Sequence, residues 1–307
     1  ALGVSASFVF LFVLFGALLE KAGAGNYFIK VAYSLLGHMR GGPAKAAVVS
    51  SGLSGLISGS SIANVVTTGT FTIPLMKRVG FPATKAGAVE VAASTNGQLT
   101  PPIMGAAAFL MVEYVGISYL EVIRHAILPA LISYIALVYI VHLEALKLNM
   151  KGIPRTVTTT LAQKLLSFLT VFIGLMVLTL LVYYGLGWIK DVAGDSVAYV
   201  VTPLLLIAYV GLVKYASKYP ELEVDDENTD MTRLPEVGPT VKAGLHFLLP
   251  VVVLVWMLAV EQRSPALSAF WATLVMVFIV LTQKPLFSFF RHQNEYLNAV
   301  KEGVDDC

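Results

Sequence analysis

Two interruptions set in apolar helical runs decide the reading of this chain. They are Ser58-Gly59-Ser60-Ser61, followed by Asn64, Thr67, Thr68 and Thr70, and Ser94-Thr95-Asn96-Gly97-Gln98-Leu99-Thr100-Pro101-Pro102. Both lie within residues 45–113. In hydrocarbon an unwound backbone is stable only where protein covers it or a wet cavity meets it, because unpaired amides and carbonyls find no water there. Two breaks so close in sequence predict the core of a solute transporter, with the solute bound where the helices come apart.

The first run is too short on either side of its break to cross a bilayer. Residues 45–58 give about 21 Å of helix and residues 60–77 about 27 Å, against a hydrocarbon thickness of about 30 Å. Arg40 and Lys45 stand before the run and Lys77 and Arg78 after it, so the positive-inside rule places both ends on the cytoplasmic face. The expectation is a re-entrant helical hairpin with the Ser-Gly-Ser-Ser tip inside the membrane. Ser51, Gly55 and Gly59 recur every four residues, a small-residue stripe that lets one arm approach a neighbouring helix closely.

The second run, residues 83–115, is long enough to cross, but Gly97 and the Pro101-Pro102 pair interrupt it. Pro102 disfavours helical geometry at Pro101, and neither proline donates a backbone hydrogen bond. Carbonyl oxygens and the N-terminus of the following half-helix are left available inside the membrane. Carbonyl, Ser, Thr and Asn oxygens suit a hard cation such as Na+, and helix N-termini attract anions.

Composition sets the surroundings. Of the 307 residues 57% are hydrophobic and only 13% charged, and the mean hydropathy is +0.77; this is the profile of an all-α integral membrane protein with several spans. The net charge of +2 is spread over loops, so no nucleic-acid partner is expected, and the lone Cys307 excludes an internal disulfide. No basic leader with a small-residue cleavage site is present, and insertion would rely on the spans themselves. The chain opens at Ala1 beside an apolar run and ends on a polar segment; we expect a piece of a longer polypeptide.

Taken in order, the chain divides into five stretches. Residues 1–44 hold a first span (4–19) and an interfacial connecting helix (26–39). Residues 45–116 are the hairpin and broken helix, the transport core. Residues 117–218 hold three spans: 119–146 with Pro129 inside it, 165–186, and 197–213. Residues 219–240 form an acidic linker, read as solvated and cytoplasmic. Residues 241–307 hold two more spans, 243–260 and 266–281, and an amphipathic end. Basic loops alternate with this count, so each falls on the cytoplasmic side.

The stretch SGSSIANVVTTGTFTIPLMK, residues 58–77, resembles the large membrane subunit of tripartite ATP-independent periplasmic (TRAP) transporters. The stretch EVAASTNGQLTPPIMGAAAF, residues 90–109, resembles the TAXI branch, in which small and large membrane subunits are often fused, and GHMRGG, residues 37–42, matches the approach to the hairpin. The resemblance implies an elevator-type secondary transporter in a bacterial or archaeal cytoplasmic membrane, fed by a periplasmic TAXI-type binding protein and driven by a cation gradient. It also implies a small membrane subunit or its fused equivalent, and a second hairpin in an inverted second half. No counterpart of that hairpin is found here, so the second repeat is expected to be missing.

The candidate substrate and cation site is therefore Ser58, Gly59, Ser60, Ser61 and Asn64 at the tip, with Thr95, Asn96, Gly97, Gln98, Thr100, Pro101 and Pro102 at the second break. The glycines and prolines shape the backbone, and neighbouring carbonyls serve as ligands. Na+ is expected at these same residues or H+ as the coupling ion, with no other cofactor. Glu90 and Glu113 flank the second break and are candidate coupling carboxylates, since an intramembrane acid is costly to keep without a function. Each has a plainer reading: Glu113 as an interfacial residue, Glu90 as a partner of Lys85. His125, His142 and His246 lack metal-ligand spacing.

Two other functions fit parts of the sequence. A cation-coupled carboxylate carrier with paired hairpins would work without a binding protein. Gly52-Leu53-Ser54-Gly55 matches the short motif of intramembrane serine proteases, but such an enzyme also needs a histidine base brought to the serine, and no helix supplies one. The substrate expected is a small organic anion, because half-helix N-termini favour carboxylates.

Overall fold

The structure is a computed structural model. It describes residues 9–152, 184–185, 188, 197–220, 234–291, 300–301 and 303–304. The proposed span at 165–186 and most of the acidic stretch and amphipathic end lie outside the described residues.

Every regular element described is helical. A short pair, α1 (Phe10–Lys21) and α2 (Ala24–Leu36), turns at Gly23, whose φ of 102° is open to glycine and strained for other residues. The hairpin follows as α3 (Gly42–Ser58) and α4 (Ser61–Arg78). The broken helix is α5 (Ala83–Gly97) and α6 (Ala106–Val115), and α7 (Tyr119–Lys147) is one continuous helix containing Pro129. Further on come α8 (Val197–Ala216), α9 (Val237–Ala243), a 3-10 turn (Leu245–Leu248), α10 (Leu249–Ala259) and α11 (Pro265–Phe290).

Helix ends sit where local chemistry places them. Pro43 opens α3, where a missing amide proton costs nothing. Ser118 and Ser264 cap α7 and α11 by accepting from the amides of Glu121, at 3.2 Å, and Leu267, at 3.4 Å. Lys77 and Arg78 close α4 at the negative end of its dipole.

Two helices, α7 and α11, are long and apolar enough to cross a membrane among the described residues. Their outward faces carry the large apolar side chains: Leu128, Ile132, Ile135 and Ile140 on α7, Phe270, Trp271 and Phe278 on α11 are all exposed. A water-soluble protein buries such residues, whereas a helix facing lipid displays them. Of the expected first span, 4–19, residues 4–8 lie outside the described residues and the rest is helical, Phe10–Lys21. Two other boundaries differ from expectation. The stretch read as linker to residue 240 is already helical from Val237. The span read as 243–260 is a second broken element, with α9 bent by 54° from the helix that follows. The bend lies at Gly244, whose amide neighbourhood is crowded by the Tyr27 ring: a Cβ there would stand 2.3 Å from it.

Two apolar cores hold the hairpin unit in place. One joins Ala44, Ala47 and Val48 of α3 and Met76 of α4 to Ala86 and Ala93 of α5 and Val141 and Ala145 of α7. The other packs Phe12 and Phe15 of α1 against Ile103, Met104 and Phe109 around the second break, and against α10 and α11. The hairpin and the broken helix are thus wedged between α7 on one side and α1 on the other.

Candidate functional site

The hairpin closes because Gly59 takes a φ of 58°, ending α3, and Ser60 is extended, starting α4 with its Oγ accepting from the amide of Ala63 at 3.3 Å. The arms then run back together. Asn64 on α4, 1% exposed, donates from Nδ2 to the Ser51 carbonyl at 2.9 Å and lies 2.8 Å from Ser51 Oγ on α3. At the open end Ala46 of α3 and Leu75 of α4 share one buried cluster with Ala32 and Tyr33.

The small-residue stripe of α3 lies along α5 and its break. Ser51 Oγ is 3.0 Å from Ser94 Oγ. One turn on, a Cβ at Gly55 would meet the Cα of Gly97 at 2.5 Å, and one at Gly59 would meet the Met104 carbonyl oxygen at 2.4 Å. Backbones this close require glycine on α3. The tip and the second break are consequently at the same level, and Gln98 Nε2 donates to Ser61 Oγ across them at 3.0 Å.

The predicted residues divide by role. Ser60, Ser61 and Gln98 lie partly or fully exposed where tip and break meet. Ser58 is buried, with Oγ 3.4 Å from the Ser60 carbonyl. Thr95 faces outward and bonds back to the Val91 carbonyl at 2.7 Å. Asn96 Oδ1 accepts from Ser133 of α7 at 2.9 Å, and Thr100 Oγ1 bonds back to the Asn96 carbonyl at 2.9 Å. Pro101 and Pro102, joined by a cis peptide, line an almost wholly apolar cavity of about 470 Å³ with residues of α7 and α10.

Glu90 is not a partner of Lys85, which pairs with Glu144 of α7 instead. Lys85 and Glu90 are five positions apart on α5 and diverge around the helix, so Lys85 reaches outward while Glu90 turns inward. The Glu90 carboxylate is completely buried among four hydroxyls: Thr68 at 2.5 Å and Thr72 at 2.6 Å on α4, Ser94 at 3.1 Å on its own helix, and Ser51 at 3.5 Å on α3. Glu113 is exposed on α6 and lines an open cavity of about 620 Å³.

Sequence reasoning missed three supporting groups. Thr72 was readable as the i+4 neighbour of Thr68, and Ser94 as the i+4 neighbour of Glu90. Tyr119 carried no such signal: its hydroxyl is 2.7 Å from the carbonyl oxygens of both Pro102 and Ile103, sharing one proton between two acceptors of the break, while its ring stacks on Phe109. Lys45, at the base of α3, is buried with Nζ 3.0 Å from His142 Nδ1; an ammonium has only protons to offer, so that nitrogen accepts.

An apolar helical protein with lipid-facing helices, a closed helical hairpin and a broken helix docked on its tip defines the class: an all-α membrane permease with irregular helix ends at its centre. The chain belongs to the DctM component family of tripartite ATP-independent periplasmic transporters, whose family model matches residues 1–300. It is 29% identical over 189 residues to uncharacterized protein y4mL of Sinorhizobium fredii, covering 61% of this chain and 45% of that one. It is 31% identical over 147 residues to the C4-dicarboxylate TRAP transporter large permease protein DctM of Pseudomonas aeruginosa, covering 47% and 33%. With the protein of that name from Rhodobacter capsulatus the identity is 35% over 91 residues, covering 30% and 21%. The chain spans less than half the length of these relatives. The family is one of transporter permeases, not of enzymes. Ser54, the serine of the protease-like motif, is buried with no hydrogen-bond partner for its hydroxyl.

Proposed function

We propose that this chain supplies the first half-site of a binding-protein-dependent secondary transporter that imports a small organic anion, a carboxylate, using a cation gradient. The observation that carries this reading is the meeting of the two breaks, with Gly59 seated against the Met104 carbonyl and Ser61 bonded to Gln98. Together they bring hydroxyl, carboxamide and carbonyl oxygens and the N-terminus of α6 to one level, a set suited to an anion and its accompanying cation. The names of the dicarboxylate relatives support the same substrate class.

The mechanism is alternating access. A solute handed over by a periplasmic TAXI-type binding protein binds at Ser60, Ser61 and Gln98 with Na+ or H+, and the hairpin unit carries it through the cytoplasmic membrane. A small membrane subunit, or its fused equivalent, anchors the unit, and an inverted second half completes the site. Uptake of C4-dicarboxylates into proteoliposomes by the full permease, with and without its binding protein and under separate Na+ and H+ gradients, tests this. Uptake that needs both binding protein and a gradient is expected. Uptake without the binding protein would favour a self-sufficient carrier, and flux indifferent to every gradient would defeat secondary transport.

A further inference from the structure

The hydroxyl cage around Glu90 has a property that its burial alone does not give. A hydroxyl carries one proton and two acceptor lone pairs. Thr68 Oγ1 stands 2.5 Å from Glu90 Oε1 and also 2.7 Å from the Asn64 carbonyl, and Thr72 Oγ1 stands 2.6 Å from Oε2 and also 2.9 Å from the Thr68 carbonyl. With Glu90 ionised, both threonines turn their protons to the carboxylate, and Ser94 adds a third. With Glu90 neutral, Thr72 turns its proton back to the Thr68 carbonyl and its Oγ1 accepts the carboxyl proton, while Thr68 goes on donating to Oε1. Every polar atom of the cage keeps a partner in either charge state, and no heavy atom moves.

Among the described residues no fixed positive charge lies against Glu90 to hold it ionised. The described helices packed most extensively against α5 are α3, α4 and α7. From α3 comes Lys45, engaged by His142 of α7. The cations of α4, Lys77 and Arg78, are exposed at its far end. Facing α5 from α7 are Tyr134, 3.3 Å from the Ala93 carbonyl, and Glu144, paired with Lys85 of α5 itself. Among the described residues the hydrogen-bond partners of Glu90 are these four hydroxyls. A buried carboxylate without a counter-charge costs several kcal/mol, and the smallest cation that relieves it is a proton.

We propose that Glu90 is a proton-binding site that links the charge state of the core to the seating of the hairpin on the broken helix. The cage is assembled from both arms of the hairpin and from α5, so it is complete only while the three are docked. As they part and water enters, the carboxyl O–H bond breaks, its electron pair stays on the carboxylate, and the proton leaves to water; redocking reverses the step. This rests on the transport reading and adds to it the residue and the ion.

The test uses the full permease with its binding protein in proteoliposomes, comparing the wild type with Glu90→Gln. One proton per solute allows up to about tenfold accumulation per unit of imposed pH gradient. The wild type is expected to approach that ratio, and Glu90→Gln to lose it while still exchanging solute at a rate that no longer varies with pH. Accumulation by Glu90→Gln equal to that of the wild type overturns the site. Infrared difference spectra between acid and alkaline buffer need neither transport nor that variant. A protonated-carboxyl band that moves in Thr72→Val is expected, and its absence from the wild type overturns the site even where uptake succeeds. A wild type that shows the band yet transports nothing under any gradient keeps the proton site and sinks only the transport reading.

Discussion

Gly55 of α3 and Gly97 of α5 meet backbone to backbone: a Cβ on Gly55 would fall 2.5 Å from the Cα of Gly97, and one on Gly97 would fall 2.8 Å from the Cα of Gly55. This contact sets the distance between the hairpin and the broken helix, and it brings Ser51 within reach of Ser94 and Glu90. No side-chain rotation relieves a methyl group placed there, because the atom it meets is backbone.

Gly55→Ala should therefore destabilise the hairpin unit by about 1–3 kcal/mol, the usual range for an overpacked interior. Gly87→Ala on α5, the helix that carries the facing Gly97, is the control. A Cβ there meets nothing within 4 Å, and replacing a helical glycine by alanine stabilises by about 0.5–1 kcal/mol. Thermal unfolding midpoints in detergent should move in opposite directions for the two variants. Equal midpoints would contradict the close approach.

Gly59 carries two constraints that substitutions can separate. Its φ of 58° lies in the left-handed region, which costs about 1–2 kcal/mol for a residue with a side chain, and its Cβ would strike the Met104 carbonyl at 2.4 Å. Asparagine tolerates the first and not the second. Gly59→Ala and Gly59→Asn should both impair solute uptake by the full permease, whereas a tip constrained by conformation alone would let the asparagine variant recover most of it.

The sequence carried the hairpin and the broken helix to within a few residues because glycine, proline and clustered small polar residues punctuate an apolar run unambiguously. Ser51, Gly55 and Gly59 foretold a close helix approach, though not that α5 and the Met104 carbonyl would be on its other side. That pairing depends on tertiary packing. Glu90 was legible as an intramembrane acid, but its partners were not: the nearest cation in sequence, Lys85, leaves the helix on another side, and two of its hydroxyls come from α4. The bend at Gly244 was missed because one glycine near the start of an apolar run, without the cluster of small polar residues that marks the other two breaks, does not interrupt the hydropathy of residues 243–260.

Asn64 ties the arms of the hairpin together, and the prediction concerns which of its atoms matters. Nδ2 donates to the Ser51 carbonyl at 2.9 Å and has Ser51 Oγ at 2.8 Å, while Oδ1 is buried without a partner. Asn64→Ala removes the donors and should cost about 1–3 kcal/mol. Asn64→Asp keeps the shape, loses the donors and brings a second carboxylate into the hydroxyl cluster that serves Glu90, so it should lower the unfolding midpoint further than alanine does. An aspartate variant as stable as the wild type would mean that the amide protons do not hold the arms.

The last prediction concerns the joint between tip and break. Ser61 and Gln98 are joined at 3.0 Å by a bond between partly or fully exposed side chains. In water such a bond is nearly cancelled by competing solvent, and its net worth is about 0.5–1.5 kcal/mol once water is excluded. A solute seated at this level would displace the water and bring the bond to its full value, so its contribution should grow on binding. A double-mutant cycle with Ser61→Ala and Gln98→Ala reads this directly. In the unloaded permease the coupling in unfolding midpoints should be close to zero. In solute binding it should approach the upper part of that range, with either single variant weakening affinity nearly as much as the pair, because each alone already breaks the bond. Additive losses in binding would show that the two side chains act independently, and the joint would then lie in the Gly59 and Met104 contact alone.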